Sequence, residues 1–476
     1  MKRHARALLL IWVLVGLLGS TKQATGQSVG VHVPENAEDK AVRITVYPAA
    51  EPRPALKHQL LPKFLDRTPG NAAVHYGKVT AEQQAIFGSD EVWENVAKWT
   101  AAPLADLREE EVPHWVRHGP VFDFLERAAR CEHCDWQLPI REQGFYTILL
   151  PDAQQARSFA RLLAVRARVQ IADGDFDAAL GTLQSGYALA RHVAQGETLV
   201  HALIGVAISG MMSQQVQELL QQPDAPNLYW ALTMLPRPLI DIRGGIEPEM
   251  NAVHLSFPEI RNLEDTTRNS EYWRETLQRF WERLAEFADG SGMMERPEVL
   301  TALAIKGYPM AKRALVEWGR SPEEVEAMPV PQVVLLYTAE TYEELRDDIF
   351  KWFYVPYWET RQGMDSARKN LHQSMMEGRE IVPLARLLLP AIGSCAGAIA
   401  RTDREIAVLR TIEAIRLYAA AHEGRLPGKL ADLAVPVPID PITGQPFAYK
   451  LDGETAVIEG PPLPGLILRL EIKVAR

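Results

Sequence analysis

The sequence predicts a mostly α-helical protein, built as an irregular array of helical hairpins with a small C-terminal helix plus antiparallel β element. Apolar residues recur every three to four positions over most of the chain, which is typical of amphipathic helices. Near the C-terminus, two alternating runs flank Asp452 and Gly453, a strong signal for a β-hairpin. With 476 residues, 47% hydrophobic and 24% charged, the chain is neither disordered nor a polytopic membrane protein.

The N-terminal segment 1–26 has the pattern of a secretory signal peptide. Lys2, Arg3 and Arg6 precede an apolar run over 7–18, which is shorter than the roughly 20 residues of a membrane span. Small residues at 24–26 predict cleavage before Gln27. We therefore expect an exported protein, periplasmic or extracellular, with no membrane span in the mature chain; an uncleaved leader that acts as a tether is the alternative.

The overall charge of the chain is acidic. The formal net charge is −10, and removal of residues 1–26 takes away four basic residues and no acid, which leaves −14. Binding to nucleic acid or to an anionic membrane draws on clustered Lys and Arg, so the overall charge argues against both as partners.

Changes of pattern along the chain predict five segments. They are a signal peptide over 1–26, an irregular N-terminal arm over 27–79, a helical hairpin domain over 80–235, a second helical region over 236–400, and a C-terminal helix with a small β-sheet over 401–476.

Particular residues predict where helices begin. Thr80 and Gln83 have the spacing of a capping box, and Ser89 precedes a second helical pattern. Ser321 has Pro at the next position and a Glu three residues on, as a helix start requires. Periodicity further predicts helices over 197–220, 341–352, 387–400 and 402–422, and one short strand over 42–47.

One pair of helices has a recognisable hairpin pattern. Small residues recur where the two helices must approach closely, and an aromatic residue follows the glycine of the turn. The positions are Ala167, Gly174, Phe176, Ala179 and Leu183. This pattern resembles a single tetratricopeptide hairpin, which implies a protein- or peptide-binding role.

Several short motifs together resemble a larger family. They are residues 134–136 (Cys-Asp-Trp), 225–230, 235–238, 413–422 and 440–444. In this combination they resemble a family of uncharacterised exported proteins from planctomycete bacteria, and the likeness covers most of the mature chain. The resemblance implies a helical exported protein and brings no catalytic residues with it.

The C-terminal tail is also similar to the C-terminal segment of type II secretion pseudopilins. In both, a helix precedes a Leu-Pro turn and an Asp-Pro-x-x-Gly loop, here residues 440–444. The resemblance implies calcium as a candidate ligand of the loop, with Asp440 and Asp452 as the acidic residues nearby. Most of the chain separates the leader from this helix, which argues against assembly into a pilus.

A His–Cys pattern is the sharpest candidate for a metal site. His114, His118, Cys131 and Cys134 are the ligand types of a tetrahedral zinc ion, in the reverse of the usual order. Other interpretations of Cys131 and Cys134 remain open: a short disulfide in an oxidising compartment, two unlinked thiols, or a reactive pair. The reactive pair is disfavoured because both residues follow the C-terminal end of a predicted helix.

Two further groups of charged residues are candidates for function. Arg157, Arg161 and Arg168 fall at i, i+4 and i+11 on the first hairpin helix, where guanidinium groups suit an acidic ligand. The alternative interpretation is that these arginines form ion pairs within the protein, with Asp173, Asp175, Asp177 or other acids. Glu413 and Arg416 are spaced for a structural pair on one helix face, with His422 near enough to suggest acid–base chemistry instead.

These observations predict a protein- or peptide-binding scaffold of the cell envelope that has no catalytic activity and no cofactor. No motif of a hydrolase, metalloprotease or phosphate-binding loop occurs in the sequence. A periplasmic hydrolase or a zinc-dependent enzyme is the alternative.

Overall fold

The computed structural model describes residues 41–110, 112–287, 296–389, 392–463 and 466–475. The predicted signal peptide and the first part of the N-terminal arm lie outside these residues. Helices make up 64% of the structure, and a small sheet lies near the C-terminus. The prediction of a mostly α-helical fold is therefore confirmed.

Helices follow one another along most of the described chain. Their bounds are α1 Ala72–Glu82, α2 Gln84–Phe87, α3 Asp90–Ala101, α4 Leu104–Glu109, α5 His114–His118, α6 Pro120–Arg130, α7 Ile140–Gln143, α8 Pro151–Ala172, α9 Phe176–Ala194, α10 Leu199–Leu220, α11 Tyr229–Thr233, α12 Arg243–Met250, α13 Ala252–Ser256, α14 Ser270–Phe287, α15 Pro297–Glu317, α16 Pro322–Ala327, α17 Val330–Phe350, α18 Tyr357–Glu377, α19 Leu384–Leu388 and α20 Gly393–Ala421.

The strands of the described chain form three small sheets. Their bounds are β1 Val42–Val46, β2 Thr68–Asn71, β3 Cys131–His133, β4 Ile439–Asp440, β5 Gln445–Pro446, β6 Ala448–Asp452, β7 Thr455–Leu463 and β8 Leu466–Val474. The largest sheet has the order β1-β8-β7-β6, with β1 parallel to β8 and the other pairs antiparallel. The predicted hairpin at Asp452 and Gly453 joins β6 to β7, as expected.

Contacts divide the chain into two compact units. The larger unit contains residues 41–137, 150–245 and the chain from 397 onward, and the smaller unit contains 138–149 and 246–396. The sequence predicted a second helical region over 236–400, close to the main segment of the smaller unit. The C-terminal segment, in contrast, shares the larger unit with the hairpins instead of standing apart.

Helices α8, α9 and α10 form the centre of the larger unit and pack as consecutive antiparallel neighbours. The turn between α8 and α9 contains Gly174 with φ +78°, and the Asp175 side chain caps α9 by accepting from the Ala178 amide. Gly205 lets α10 approach α9 closely, because a Cβ there would lie 2.6 Å from the Ala190 carbonyl oxygen. The helical hairpin predicted from Ala167 to Leu183 is thus confirmed.

The N-terminal arm contributes a strand to the C-terminal sheet. Strand β1 alternates between exposed and buried residues, with Ile44 and Val46 directed into the core. Its parallel partner β8 lies near the other end of the sequence. The alternation over 42–47 predicted the strand, but neither its partner nor β8 was predicted.

Three predicted helix boundaries differ from the structure. Thr80 lies inside α1, which starts earlier because the Asn71 side chain accepts from the Ala73 amide and caps the helix there. The stretch 387–400 is not one helix: α19 ends at Leu388, and α20 begins at Gly393 and runs unbroken to Ala421. The helix predicted over 341–352 begins already at Val330.

Other helix starts agree with the sequence. The Ser89 hydroxyl accepts from the Val92 amide at the start of α3. Ser321 and Glu324 form a complete capping box at the start of α16 in the smaller unit. In that unit α14 buries the apolar face that includes Trp273, Phe280 and Leu284.

Candidate functional site

The densest group of reactive side chains in the larger unit surrounds His192 of α9. Tyr76 of α1, Cys131 and Cys134 after α6, and the Trp136 ring are its neighbours, and we call these five residues the His192 cluster. Four of them are almost fully buried, with exposures of 2% for Tyr76, 5% for Cys131, 4% for Cys134 and 5% for His192. The Trp136 ring stacks on Tyr76 with 5.8 Å between ring centroids.

Hydrogen bonds fix the tautomer of His192. The Cys131 carbonyl oxygen can only accept, so Nε2 of His192 carries the proton and donates to it over 3.1 Å. The other ring nitrogen, Nδ1, then accepts from the Tyr76 hydroxyl over 3.0 Å. The Trp136 Nε1 donates to the His192 carbonyl oxygen over 3.0 Å. Every polar atom of the imidazole is therefore engaged inside the protein.

Burial keeps the His192 cluster neutral at physiological pH. It lowers the pKa of His192 to about 4, and it raises the pKa of the Cys131 and Cys134 thiols above their usual range. It also raises the pKa of the Tyr76 hydroxyl. A thiol held neutral is a poor nucleophile and a poor metal ligand. Both cysteines are free thiols in the structure, and the cluster has the chemistry of a structural core.

The four residues predicted to bind zinc do not converge. His114 and His118 are exposed on α5, with their ring centroids 4.9 Å apart, whereas Cys131 and Cys134 are buried. Within the described parts of the chain, no three His, Cys, Asp or Glu side chains are placed to share a metal ion.

A second buried imidazole in the larger unit escaped the sequence analysis. His201 of α10 is completely buried, and Gly196 packs against its ring. Its Nδ1 pairs with the Thr198 hydroxyl over 2.8 Å, and burial lowers its pKa to about 4. Nothing in the spacing of His192 or His201 distinguishes them from surface histidines, so their burial could not be predicted.

The three arginines of the predicted stripe have different surroundings. Arg168 is buried, donates to the Ala102 carbonyl oxygen over 2.5 Å, and lies 3.5 Å from the Glu218 carboxylate. Arg157 is partly buried and Arg161 is exposed. Burial lowers the pKa of Arg157, and the neighbouring Arg161 charge lowers it further.

Arg157 and Arg161 therefore form a like-charged pair one helical turn apart. Within the described residues, neither guanidinium has a carboxylate at ion-pair distance. Asp173, one of the acids named above as an alternative partner, caps the far end of α8 and pairs with Arg117. The predicted intramolecular pairing thus holds for Arg168, with Glu218 as its partner, and it does not hold for the other two arginines.

Glu413 and Arg416 of α20 form a buried ion pair. Both side chains are fully buried, and the Arg416 Nη1 donates to both Glu413 carboxylate oxygens over 3.0 Å. Arg416 also donates to the carbonyl oxygens of Tyr47, Ala225 and Pro226. The pairing expected from their spacing is confirmed, and the guanidinium ties three chain segments together.

A second buried pair occupies the loop that resembles the pseudopilin calcium loop. Arg404 donates to the Asp440 carboxylate over 2.9 Å, and both side chains are 1% exposed. The other Asp440 oxygen accepts from the Ile442 amide. Asp440 is thus paired with the Arg404 guanidinium, while Asp452 lies exposed at the hairpin turn.

The smaller unit contains an acid–base pair that the sequence analysis also missed. His254 Nε2 lies 2.9 Å from a Glu343 carboxylate oxygen, and their side chains are 31% and 40% exposed. The hydrogen bond with His254 holds the pKa of Glu343 below its usual range. The two residues are 89 positions apart in the sequence, so no local pattern could reveal the pair.

Comparisons with known proteins give no relatives. No protein-family model matches this sequence, and no curated protein or solved structure is significantly similar to it. The resemblances to the planctomycete family and to pseudopilins therefore stay predictions. Among the described helices, Leu199–Leu220 has the length and composition of a membrane span, but 72% of its most apolar stretch is buried.

Proposed function

We propose that the protein is an exported helical scaffold that binds an acidic segment of a protein or peptide partner in the cell envelope. Arg157 and Arg161 of α8 are the proposed contact residues. The observation that carries this proposal is a pair of neighbouring guanidinium groups without a carboxylate partner among the described residues. The sequence contains 61 Asp and Glu residues, yet none of the described ones compensates this pair.

A carboxylate ligand would relieve an unfavourable arrangement. Like charges at i and i+4 on a helix destabilise it by about 0.2–0.5 kcal/mol. Charge-assisted hydrogen bonds between guanidinium and carboxylate groups are shorter and stronger than neutral ones, and bidentate contacts add specificity. Because Arg157 is partly buried, water screens its charge less than that of a fully exposed arginine.

Three prominent polar side chains of the larger unit have structural surroundings. His192, Arg404 and Arg416 are all buried and hydrogen-bonded to other parts of the protein. Groups of this kind hold the fold together and are not available to a substrate.

The proposal is tested with an acidic probe peptide. Fluorescence anisotropy of labelled hexaglutamate measures its affinity for the wild-type chain and for a double variant with Arg157→Gln and Arg161→Gln. We expect the double variant to bind at least about tenfold more weakly, because it loses two charge-assisted contacts. A variant with Arg361→Gln, an exposed arginine of α18, is the matched control and should bind like the wild type.

Two results would contradict the proposal. One is equal affinity of the double variant and the Arg361 control. The other is a wild type that does not bind hexaglutamate measurably, since a chain of net charge −10 repels this peptide except where basic groups are concentrated.

A hydrolase is the second candidate, and the partly exposed pair of His254 and Glu343 favours it. A carboxylate that orients an imidazole is the arrangement of a general base. If the protein is a scaffold, the wild type and a His254→Gln variant should not differ in the hydrolysis of p-nitrophenyl acetate. A loss of most of the activity in the variant would favour the hydrolase.

A further inference from the structure

A short segment of the larger unit exposes apolar side chains. Leu56 is 52% exposed, Phe64 is 76% exposed and Leu65 is 90% exposed. Phe64 and Leu65 are consecutive residues of one turn of 3-10 helix, Phe64–Asp66. We call Leu56, Phe64 and Leu65 the apolar tip. Large apolar side chains exposed to this extent within a short stretch of chain mark a candidate interaction surface.

The exposure of the apolar tip is built into the fold. Between Leu56 and the turn, Leu60 is buried with 1% exposure, and the Gln59 carbonyl oxygen accepts from the Gln184 side chain of α9 over 2.8 Å. After it, strand β2 pairs with β3. Within the turn, the Asp66 amide donates to the Lys63 carbonyl oxygen over 2.9 Å. The turn that contains Phe64 and Leu65 is thus anchored to the rest of the unit on both sides.

Basic side chains surround the apolar tip. Lys57 and Lys63 both lie near the buried His58 ring, whose pKa is lowered by burial and by these two charges. Arg67 directly follows the turn and lies near Arg191 of α9. Burial lowers the pKa of Arg191, and the Arg67 charge lowers it further. Among the described residues, Lys57, Lys63 and Arg67 have no carboxylate at ion-pair distance. The acids close by are Asp66 in the turn and Asp177, which lies 4.0 Å from His58.

We propose that the apolar tip, with Lys57, Lys63 and Arg67 around it, docks on an anionic lipid surface. Phe and Leu side chains enter the boundary between headgroups and acyl chains, while Lys and Arg beside them contact the anionic headgroups. Phe64 and Leu65 lie in a single 3-10 turn, and the aliphatic and phenyl groups of the tip offer no hydrogen bonds. A membrane surface fits this small apolar patch and its basic neighbours better than a protein partner, whose interface usually needs a broader face with polar complementarity.

This inference differs from what the overall charge suggests. A net charge of −10 argues against an anionic membrane as a partner. The attraction between a polybasic segment and lipid headgroups falls off within about a Debye length, so the local charge decides it. Around the tip the basic residues outnumber the acidic ones.

The experiment places a reporter at the tip. Leu65→Cys is labelled with an environment-sensitive fluorophore in the full chain, and vesicles are added that contain either phosphatidylcholine alone or about 30 mol% phosphatidylglycerol. A local readout is needed because residues 7–18 are apolar and can bind lipid independently of the tip. We expect a blue shift and protection from quenching by acrylamide, which is uncharged, with the anionic vesicles only.

Two comparisons make the test specific. Met376→Cys, labelled in the same way, replaces an apolar side chain of α18 that is 76% exposed, and it should show no shift. Adding Lys57→Glu and Lys63→Glu to the Leu65→Cys chain should remove most of the shift. The wild-type chain, whose described cysteines are buried, controls for labelling elsewhere.

Three results would overturn the proposal: no shift at position 65, equal shifts at positions 65 and 376, or a shift that the two Lys→Glu changes leave intact. A shift at position 65 that persists when Arg157→Gln and Arg161→Gln are added would support the membrane contact independently of the proposed scaffold function. Protection of position 65 by an acidic protein, without any response to anionic vesicles, would assign the tip to a protein partner and also contradict the proposal.

Discussion

Arg416 shows how a charged residue can be fully buried in this protein. Its guanidinium donates to the Glu413 carboxylate and to the backbone carbonyl oxygens of Tyr47, Ala225 and Pro226. Burial of a charge is costly unless it is paired and hydrogen-bonded, and here both conditions are met. The pair therefore cannot lose one member without leaving an uncompensated charge in the core.

We predict that Glu413→Gln destabilises the protein by about 3 kcal/mol, because it keeps the shape of the side chain and removes only its charge. The midpoint and slope of urea-induced unfolding measure the change. Glu423→Gln is the control, since Glu423 is 88% exposed and lies 3.6 Å from Arg425 just beyond the end of the same helix. An unchanged midpoint for Glu413→Gln would show that the buried pair contributes nothing to stability.

Glu405 of α20 is a partly buried acid with a raised pKa. Its carboxylate packs against Gly210 of α10, where an added Cβ would lie 3.8 Å from Oε2. Burial raises the pKa of Glu405 to about 7, although the nearby Arg401 charge opposes the shift. Between the unfolded value near 4.5 and the folded value near 7, the folded state holds more protons, so stability falls as the pH rises through this window.

We therefore predict that Glu405→Gln stabilises the protein above pH 7 and has little effect near pH 4.5. At pH 8 the expected gain is about 3 kcal/mol, because the variant resembles the protonated acid at every pH. Unfolding midpoints from pH 4.5 to pH 8 measure it, with the exposed Glu197→Gln as the control. A gain that does not grow with pH would contradict the assignment.

At the scale of elements, strand β1 is the least local feature of the fold. It pairs in parallel with β8, and its register places Ile44 beside Ile472 and Val46 beside Val474. Ile44 and Val46 are buried, whereas Thr45 between them is exposed. The N-terminal strand therefore completes the edge of a sheet that the C-terminus builds.

We predict that Ile44→Ala destabilises the larger unit by about 2–4 kcal/mol, since a buried branched side chain is replaced by a cavity. Thr45→Ala, one position away on the exposed face, should leave the urea midpoint nearly unchanged. Equal effects of the two changes would mean that β1 does not pack on the sheet in this register.

Local signals in the sequence predicted the elements well. Ser89 and Ser321 cap helices as expected, because a hydroxyl before the first turn satisfies free amide groups regardless of the rest of the fold. The hairpin at Asp452 and Gly453 forms because the positive φ of Gly453 suits a tight turn. Thr80 misled the prediction because Asn71 provides an earlier cap for the same helix.

Features that depend on distant contacts could not be predicted. The partner of β1 and the pairing of Arg404 with Asp440 involve residues far apart in the sequence. The stripe of Arg157, Arg161 and Arg168 was predicted as one surface, but periodicity gives only the side of the helix and not which part of it a neighbour covers. Arg168 is buried because the Ala102 carbonyl oxygen and Glu218 surround it.

At the scale of the whole molecule, the charges buried on α20 are paired, whereas two charges at the surface of the larger unit have no partner among the described residues. The buried pairs on α20 hold the larger unit together, while Arg157 and Arg161 remain uncompensated at its surface. If these two arginines have a structural role, their removal should lower the stability of the folded protein. If they bind a ligand, their removal should leave the stability of the ligand-free protein unchanged or slightly higher.

Thermal unfolding with and without hexaglutamate tests this distinction most directly. Without peptide, we expect the double variant with Arg157→Gln and Arg161→Gln to unfold at the wild-type temperature or slightly above it, because a like-charge repulsion is removed. With peptide in excess of its dissociation constant, the wild type should unfold at a higher temperature and the double variant should not respond. A double variant that is less stable than the wild type, together with a wild type that hexaglutamate does not stabilise, would contradict the account.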